Sequence, residues 1–190
     1  SNWAYTFKNL THQDWRYTML KEKTGPFYFF VNFFGIHLVP TLIVYGCTLP
    51  AVYVIYNYIR IKPISIVFIG LSFLAVILQG IADIQMHKFR KNQNSVIEGS
   101  EEKKSPFIRN GLWKYSRHPN YLGEILMWWG IGLSVFFADF NLWYLLAGAF
   151  LNTLLFLFIS IPMADKHQKQ RKPGFDEYKS QTRMLLPIKK

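Results

Sequence analysis

Long apolar stretches free of lysine and arginine alternate along this chain with short, strongly basic segments. The first apolar stretch runs from Pro26 to Ile59 and contains Pro40 and Pro50. About 20 helical residues cross a bilayer core, so this stretch is too long for one straight span and barely too short for two with a turn. It is read as one span over about 27–47 followed by an interfacial piece. Three further spans are expected over about 63–89, 119–137 and 142–164, with Asp139 and Asn141 marking a tight turn between the last two. The predicted fold class is all-α, a polytopic membrane helical domain of about four transmembrane spans. No internal repeat is visible, so residues 1–190 read as one membrane-embedded domain, with the Asn-, Ser-, Glu- and Gly-rich 92–106 stretch as a flexible surface loop.

Charge then orients the spans. With four of them, the amino-terminal segment, the 88–118 loop and the tail share one side and hold 20 of the 22 lysines and arginines. Only Arg60 and Lys62 fall on the other side. The positive-inside rule places the basic side in the cytoplasm, or in the matrix of a mitochondrion; an endoplasmic reticulum, mitochondrial inner or bacterial inner membrane would each suit. The mean hydropathy of only +0.08 reflects these basic loops rather than a soluble chain. A net charge of +11 suits nucleic acid poorly, because the charges flank spans and no recognition module is present. It suits anionic lipid headgroups, and it suits a phosphate-bearing cofactor held on the basic face.

Two polar constellations interrupt the apolar pattern. Residues 116–124 read Ser-Arg-His-Pro-Asn-Tyr-Leu-Gly-Glu, where a basic loop runs into a tryptophan-rich span. Glu124 lies inside the apolar stretch, where a carboxylate costs several kcal/mol unless a partner or an aqueous cavity compensates it. On a helix opening at Pro119, Asn120 and Glu124 share a face, with Tyr121 and His118 at the entrance. On the preceding span Gln79, Asp83, His87 and Arg90 form one polar stripe ending at the same membrane face. A snorkelling helix end would account for Lys88 and Arg90, whereas Asp83 lies a turn inside the boundary and needs a partner. His37 fits either a hydrogen-bonded core histidine or a catalytic group, and Asn152 reads as contact between helices.

Other chemistry is sparse. Cys47 is the sole cysteine, the five histidines sit on different elements without metal-ligand spacing, and no metal site is expected. There is neither a Walker loop nor a Rossmann glycine fingerprint. The first 25 residues lack a cleavable-signal pattern, and the chain opens on Ser1, which reads as a fragment or a processed product.

The run Gly111–Glu124, the earlier Asp14-Trp-Arg-Tyr17, the Phe34–Pro40 segment and the closing Pro173–Tyr178 through Leu186-Pro187 resemble the steroid 5-alpha-reductase superfamily, closest to its uncharacterised branch of predicted membrane reductases. That resemblance implies an NADPH-dependent oxidoreductase that reduces a carbon-carbon double bond in a lipid or steroid-like enone. It implies that Asn120 and Glu124 meet the nicotinamide end, and Asp83 and Arg90 the adenosine and phosphate side. Tyr115, Arg117, His118 and Tyr121 match positions lining the same pocket, His167 matches more loosely, and Gln79 replaces an asparagine. Glu124, Tyr121 and His37 are the implied catalytic set. The reductases' proton-donating tyrosine and its partner carboxylate have no counterpart here, which implies a truncated chain or lost activity. Two alternatives stay open: a catalytically silent subunit of a membrane complex, and an S-adenosylmethionine-dependent methyltransferase, since isoprenylcysteine and phospholipid methyltransferases share a shorter arginine-histidine-proline motif.

Overall fold

The computed structural model describes residues 15–94 and 105–186, which are helical almost throughout, with no strand among them. Four helical runs are long and apolar enough to cross a membrane: Trp15–Tyr56, Pro63–Gln93, Pro119–Ala138 and Phe140–Arg171. The expected all-α fold and the number of spans are therefore observed.

In the first run the helix continues through the residues expected to form an interfacial piece. Helix α1 (Trp15–Thr24), a 3₁₀ turn at Gly25–Phe27, α2 (Tyr28–Val31), a π-helical stretch at Asn32–Leu38 and α3 (Val39–Tyr56) follow without interruption. Pro50 lies inside α3 and is buried. A proline removes one backbone donor and leaves the carbonyl four residues earlier unpaired. Membrane helices tolerate this where a neighbouring helix covers the freed group.

Helix α4 (Pro63–Asn94) and α5 (Pro119–Ala138) form the closest pair. Apolar side chains gain nothing by leaving lipid for each other, so close backbone approach through small residues must hold such a pair. Ser65, Ser72, Ala75 and Ala82 form the buried side of α4. A side-chain carbon added at Gly123 would sit 2.8 Å from the Ala75 carbonyl, and one at Gly130 would sit 2.9 Å from that of Phe68. Ser72 Oγ donates to the Phe68 and Met127 carbonyls, each at 3.1 Å, which ties the two helices. Ile66, Phe73, Leu74 and Ile84 on the far side of α4 remain exposed to lipid.

The fourth run comprises a 3₁₀ segment (Phe140–Leu146), α6 (Ala147–Leu155), a π-helical stretch (Phe156–Ser160) and α7 (Ile161–Arg171). It is longer at both ends than the expected 142–164. The expected turn before it is present: Asp139 Oδ1 accepts from the Asn141 backbone at 3.0 Å and from its side chain at 3.1 Å. Trp129 donates to Thr153 Oγ1 at 2.8 Å and links α5 to α6.

Arg60 and Lys62 meet Asp139 and Asn141 at one end of the bundle. At the other end the segment 105–118 and the tail, with α8 (Phe175–Gln181), come together. Most of the expected 92–106 loop, residues 95–104, lies outside the described residues; at its edges Gln93 donates to the Ser105 carbonyl at 2.9 Å.

Candidate functional site

A cleft opens where the ends of α4 and α7, the start of α5 and the tail converge. It encloses about 150 Å³, and about 770 Å³ counted out to open solvent. Asp83, Met86 and Arg90 reach it from one face of α4. Arg117, His118, Asn120 and Tyr121 reach it from the entry to α5, and Asp165, Gln168 and Lys172 from α7 and the residue that caps it. Phe107, Trp113, Phe175 and Tyr178 complete the wall. Phe107 stacks on Tyr178 with ring centroids 4.7 Å apart, and Trp113 donates to the Ala82 carbonyl at 3.0 Å.

Asp165 is the electrostatic hub of the inner end. One oxygen accepts from Arg117 Nη2 at 3.1 Å, and the other meets His118 Nε2 at 2.9 Å. All three groups are buried, a setting in which ionised side chains persist only when paired. Arg117 Nη1 also donates to the carbonyls of Thr182, at 2.5 Å, and Lys179, at 3.3 Å. Its backbone N–H donates to the Arg183 carbonyl at 2.9 Å. One arginine thus pins the start of α5 to α7 and to the tail. The His118 ring lies parallel to Tyr121 at 5.2 Å, and Tyr121 packs on Phe156 at 4.8 Å.

The outer end differs. Arg90 and Lys172 face the cleft, and neither side chain makes a hydrogen bond or ion pair with a described residue. Lys172 Nζ lies 5.4 Å from the Phe107 ring centroid. Burial, then the neighbouring Arg90 and Arg171 charges, hold the Lys172 ammonium below the usual lysine range. An anion bound between Arg90 and Lys172 would reverse that effect, so its binding should draw a proton onto Lys172. Anion affinity should therefore fall as pH rises through the lowered Lys172 range, starting at lower pH than for an ordinary lysine. Calorimetry in two buffers of different ionisation enthalpy reads the proton uptake, and Lys172→Met should abolish it.

The structure divides the residues singled out in the sequence. Asp83, Arg90, Arg117, His118, Asn120 and Tyr121 share the cleft. Glu124 lies one turn deeper, half-buried and within electrostatic reach of Asp83. Gln79 packs against Gly123, a turn before Asp83, and does not line the cleft. Tyr115 is exposed, with Lys114 Nζ 5.8 Å from its ring. His167 stacks on Trp15 at 3.8 Å, away from the cleft. His37 is exposed on the π-helical stretch of the first run, its ring 6.0 Å from that of Tyr17. Asp165 and Lys172 escaped the sequence reading. The available signal for Asp165 was the one that marked Asp83, a carboxylate in the last turn of an apolar span. Among the described residues no three His, Cys, Asp or Glu side chains converge as metal ligands.

The profile of a family described as "Protein of unknown function (DUF1295)" matches residues 2–182. No curated protein and no solved structure matches the chain.

Proposed function

The chain belongs to the DUF1295 family, and from that premise we propose that it is a membrane-embedded reductase that uses NADPH to reduce a carbon-carbon double bond in a lipid or steroid-like enone. The observation that carries this reading is the pair of cations, Arg90 and Lys172, whose side chains have no ion-pair partner among the described residues, at the mouth of a cleft whose inner end presents Asn120. The resemblance of the Gly111–Glu124 run to steroid 5-alpha-reductases supports the same assignment.

The donor set fits a phosphate-bearing dinucleotide. Arginine offers phosphate a planar fork and lysine a point charge, and an amide suits a carboxamide ring substituent. The enclosed 150 Å³ is smaller than a whole cofactor pocket and accommodates one end of such a molecule, the rest lying in the open mouth of the cleft. When bound, the reduced nicotinamide supplies a hydride to an electrophilic carbon. Arg90 and Lys172 hold the phosphates, and Asn120 orients the ring from the rigid first turn of α5. Glu124 lies a turn deeper on α5, within electrostatic reach of Asp83, and a flat lipid would approach from the bilayer. Tyr121, stacked on His118, is the hydroxyl assigned to proton delivery, because adding hydride to an enone leaves an enolate that needs a placed acid. His37 lies outside the cleft and takes no part in this assignment. By the excess of lysine and arginine, the cleft end faces the cytoplasm or the matrix.

A titration of the purified protein with NADPH and with S-adenosylmethionine tests the assignment. Saturable NADPH binding is expected. Binding of S-adenosylmethionine alone would favour a methyltransferase, and binding of neither would favour a silent subunit. Arg90→Ala should remove a charge-assisted contact of roughly 1.5–3 kcal/mol, about a 10- to 100-fold loss of NADPH affinity. S-adenosylmethionine, which has no phosphate, should respond far less.

A further inference from the structure

Helices α4 and α7 both run toward the cleft end of the bundle, and both line the cleft with the same pair of charges in the same order. Asp83 precedes Arg90 by seven residues on α4, and Asp165 precedes Lys172 by seven at the end of α7. At 1.5 Å per residue each cation lies about 10 Å outward from its carboxylate. The cleft is therefore acidic within and basic at its mouth, and the inner cations do not disturb this order. Arg117, which would otherwise form a second positive pole, and the neighbouring His118 are both occupied by Asp165. Lys179 approaches the same carboxylate at 3.7 Å.

We propose that Asp165 is an orientation determinant: by occupying Arg117 and His118 it leaves the Arg90–Lys172 pair as the cleft's one anion pole, so a ligand enters with its anionic group at the mouth and a neutral or cationic group inward. This rests on the reading that the cleft takes an anionic cofactor, and adds what sets that ligand's direction. Asp165 acts through Arg117 and His118 and is a positioning residue. Its conversion to asparagine keeps one oxygen that can accept from Arg117, turns the other position into an amide N–H that can donate to a His118 ring nitrogen, and removes the carboxylate charge.

A purely structural role and an orienting role predict opposite signs. Inorganic pyrophosphate is the informative ligand, because it carries only the anionic half of the chemistry. For the full chain in neutral detergent, Arg90→Ala and Lys172→Ala should each weaken pyrophosphate binding at least about tenfold, the loss of one charge-assisted contact. Asp165→Asn should instead tighten pyrophosphate several-fold. In that background Arg90→Ala should cost less than about threefold, because Arg117 then forms a competing pole. Asp165→Asn that weakens pyrophosphate, or leaves its dependence on Arg90 unchanged, overturns the proposal. So does wild-type binding indifferent to Arg90 and Lys172, a test that needs no change at the buried hub. If pyrophosphate follows the expected pattern and NADPH does not bind, the orientation rule stands and the reductase assignment falls.

Discussion

Gly148→Ala should separate the first and fourth spans and destabilise the protein by about 3 kcal/mol, at or beyond the upper end of ordinary overpacking. A methyl group at Gly148 would lie 2.3 Å from the backbone carbon of Gly46, 2.5 Å from the Cys47 nitrogen and 2.5 Å from the Gly46 oxygen. All three are backbone atoms of α3, so no side chain can rotate away and the helices themselves must part. The contact is asymmetric, since a methyl at Gly46 would meet only the Gly148 α-carbon, at an ordinary 3.5 Å. Gly46→Ala should accordingly be tolerated, as should Gly70→Ala and Gly80→Ala, where nothing lies within 4 Å. Pro50 explains why the crossing sits here. Four residues after Gly46, it donates no hydrogen bond to the Gly46 carbonyl, and that freed oxygen lies against Gly148, where a weak Cα–H contact is the available compensation. Thermal unfolding in detergent, followed by tryptophan fluorescence, checks the series. Equal midpoints for Gly46→Ala and Gly148→Ala would contradict this account of the crossing.

The same proline shows where sequence and structure part. Four spans were legible because apolar length over about 20 residues has few other uses, and Pro119 correctly marked the first turn of α5. The length of the first apolar stretch suggested a span ending near residue 47; α3 instead continues through Pro50 to Tyr56, with the neighbouring helix covering the freed carbonyl. The site was half legible for a related reason. Asp83, Arg90, Arg117, His118 and Asn120 stood out as polar groups at span ends, and they converge. Asp165 did not, because it opens the run Asp-Lys-His-Gln-Lys-Gln-Arg-Lys, which reads as a solvated tail. Nor does type or spacing say which neighbour covers each helix face. Asp165 and His167 are two positions apart, about 200° around α7, and they point to different partners, the cleft for one and Trp15 for the other. Tyr115 and His37 likewise carried plausible chemistry on faces that do not meet the cleft.

Arg117→Ala should be the most damaging single change at the cleft, costing about 3–5 kcal/mol, the range for breaking a buried ion pair from one side. It deletes the 3.1 Å bond to Asp165 and both side-chain bonds to the Thr182 and Lys179 carbonyls. The Asp165 carboxylate, still buried, keeps only His118 and the more distant Lys179. The backbone bond from residue 117 to Arg183 survives the substitution, so the tail should loosen rather than lose every tie. Hydrogen exchange should rise across 175–186, where the Phe107, Phe175 and Tyr178 cluster closes the cleft wall. The α4–α5 pair, held by Gly123, Gly130 and Ser72, should keep its protection. The exposed bridge from Lys169 to Asp176 supplies the contrast. At 2.8 Å its geometry is as good, but its side chains are 61% and 70% exposed, so Lys169→Ala should cost less than about 1 kcal/mol. Comparable losses for Lys169→Ala and Arg117→Ala, or unchanged tail exchange in the latter, would show that burial of the Asp165 hub does not hold the tail in place.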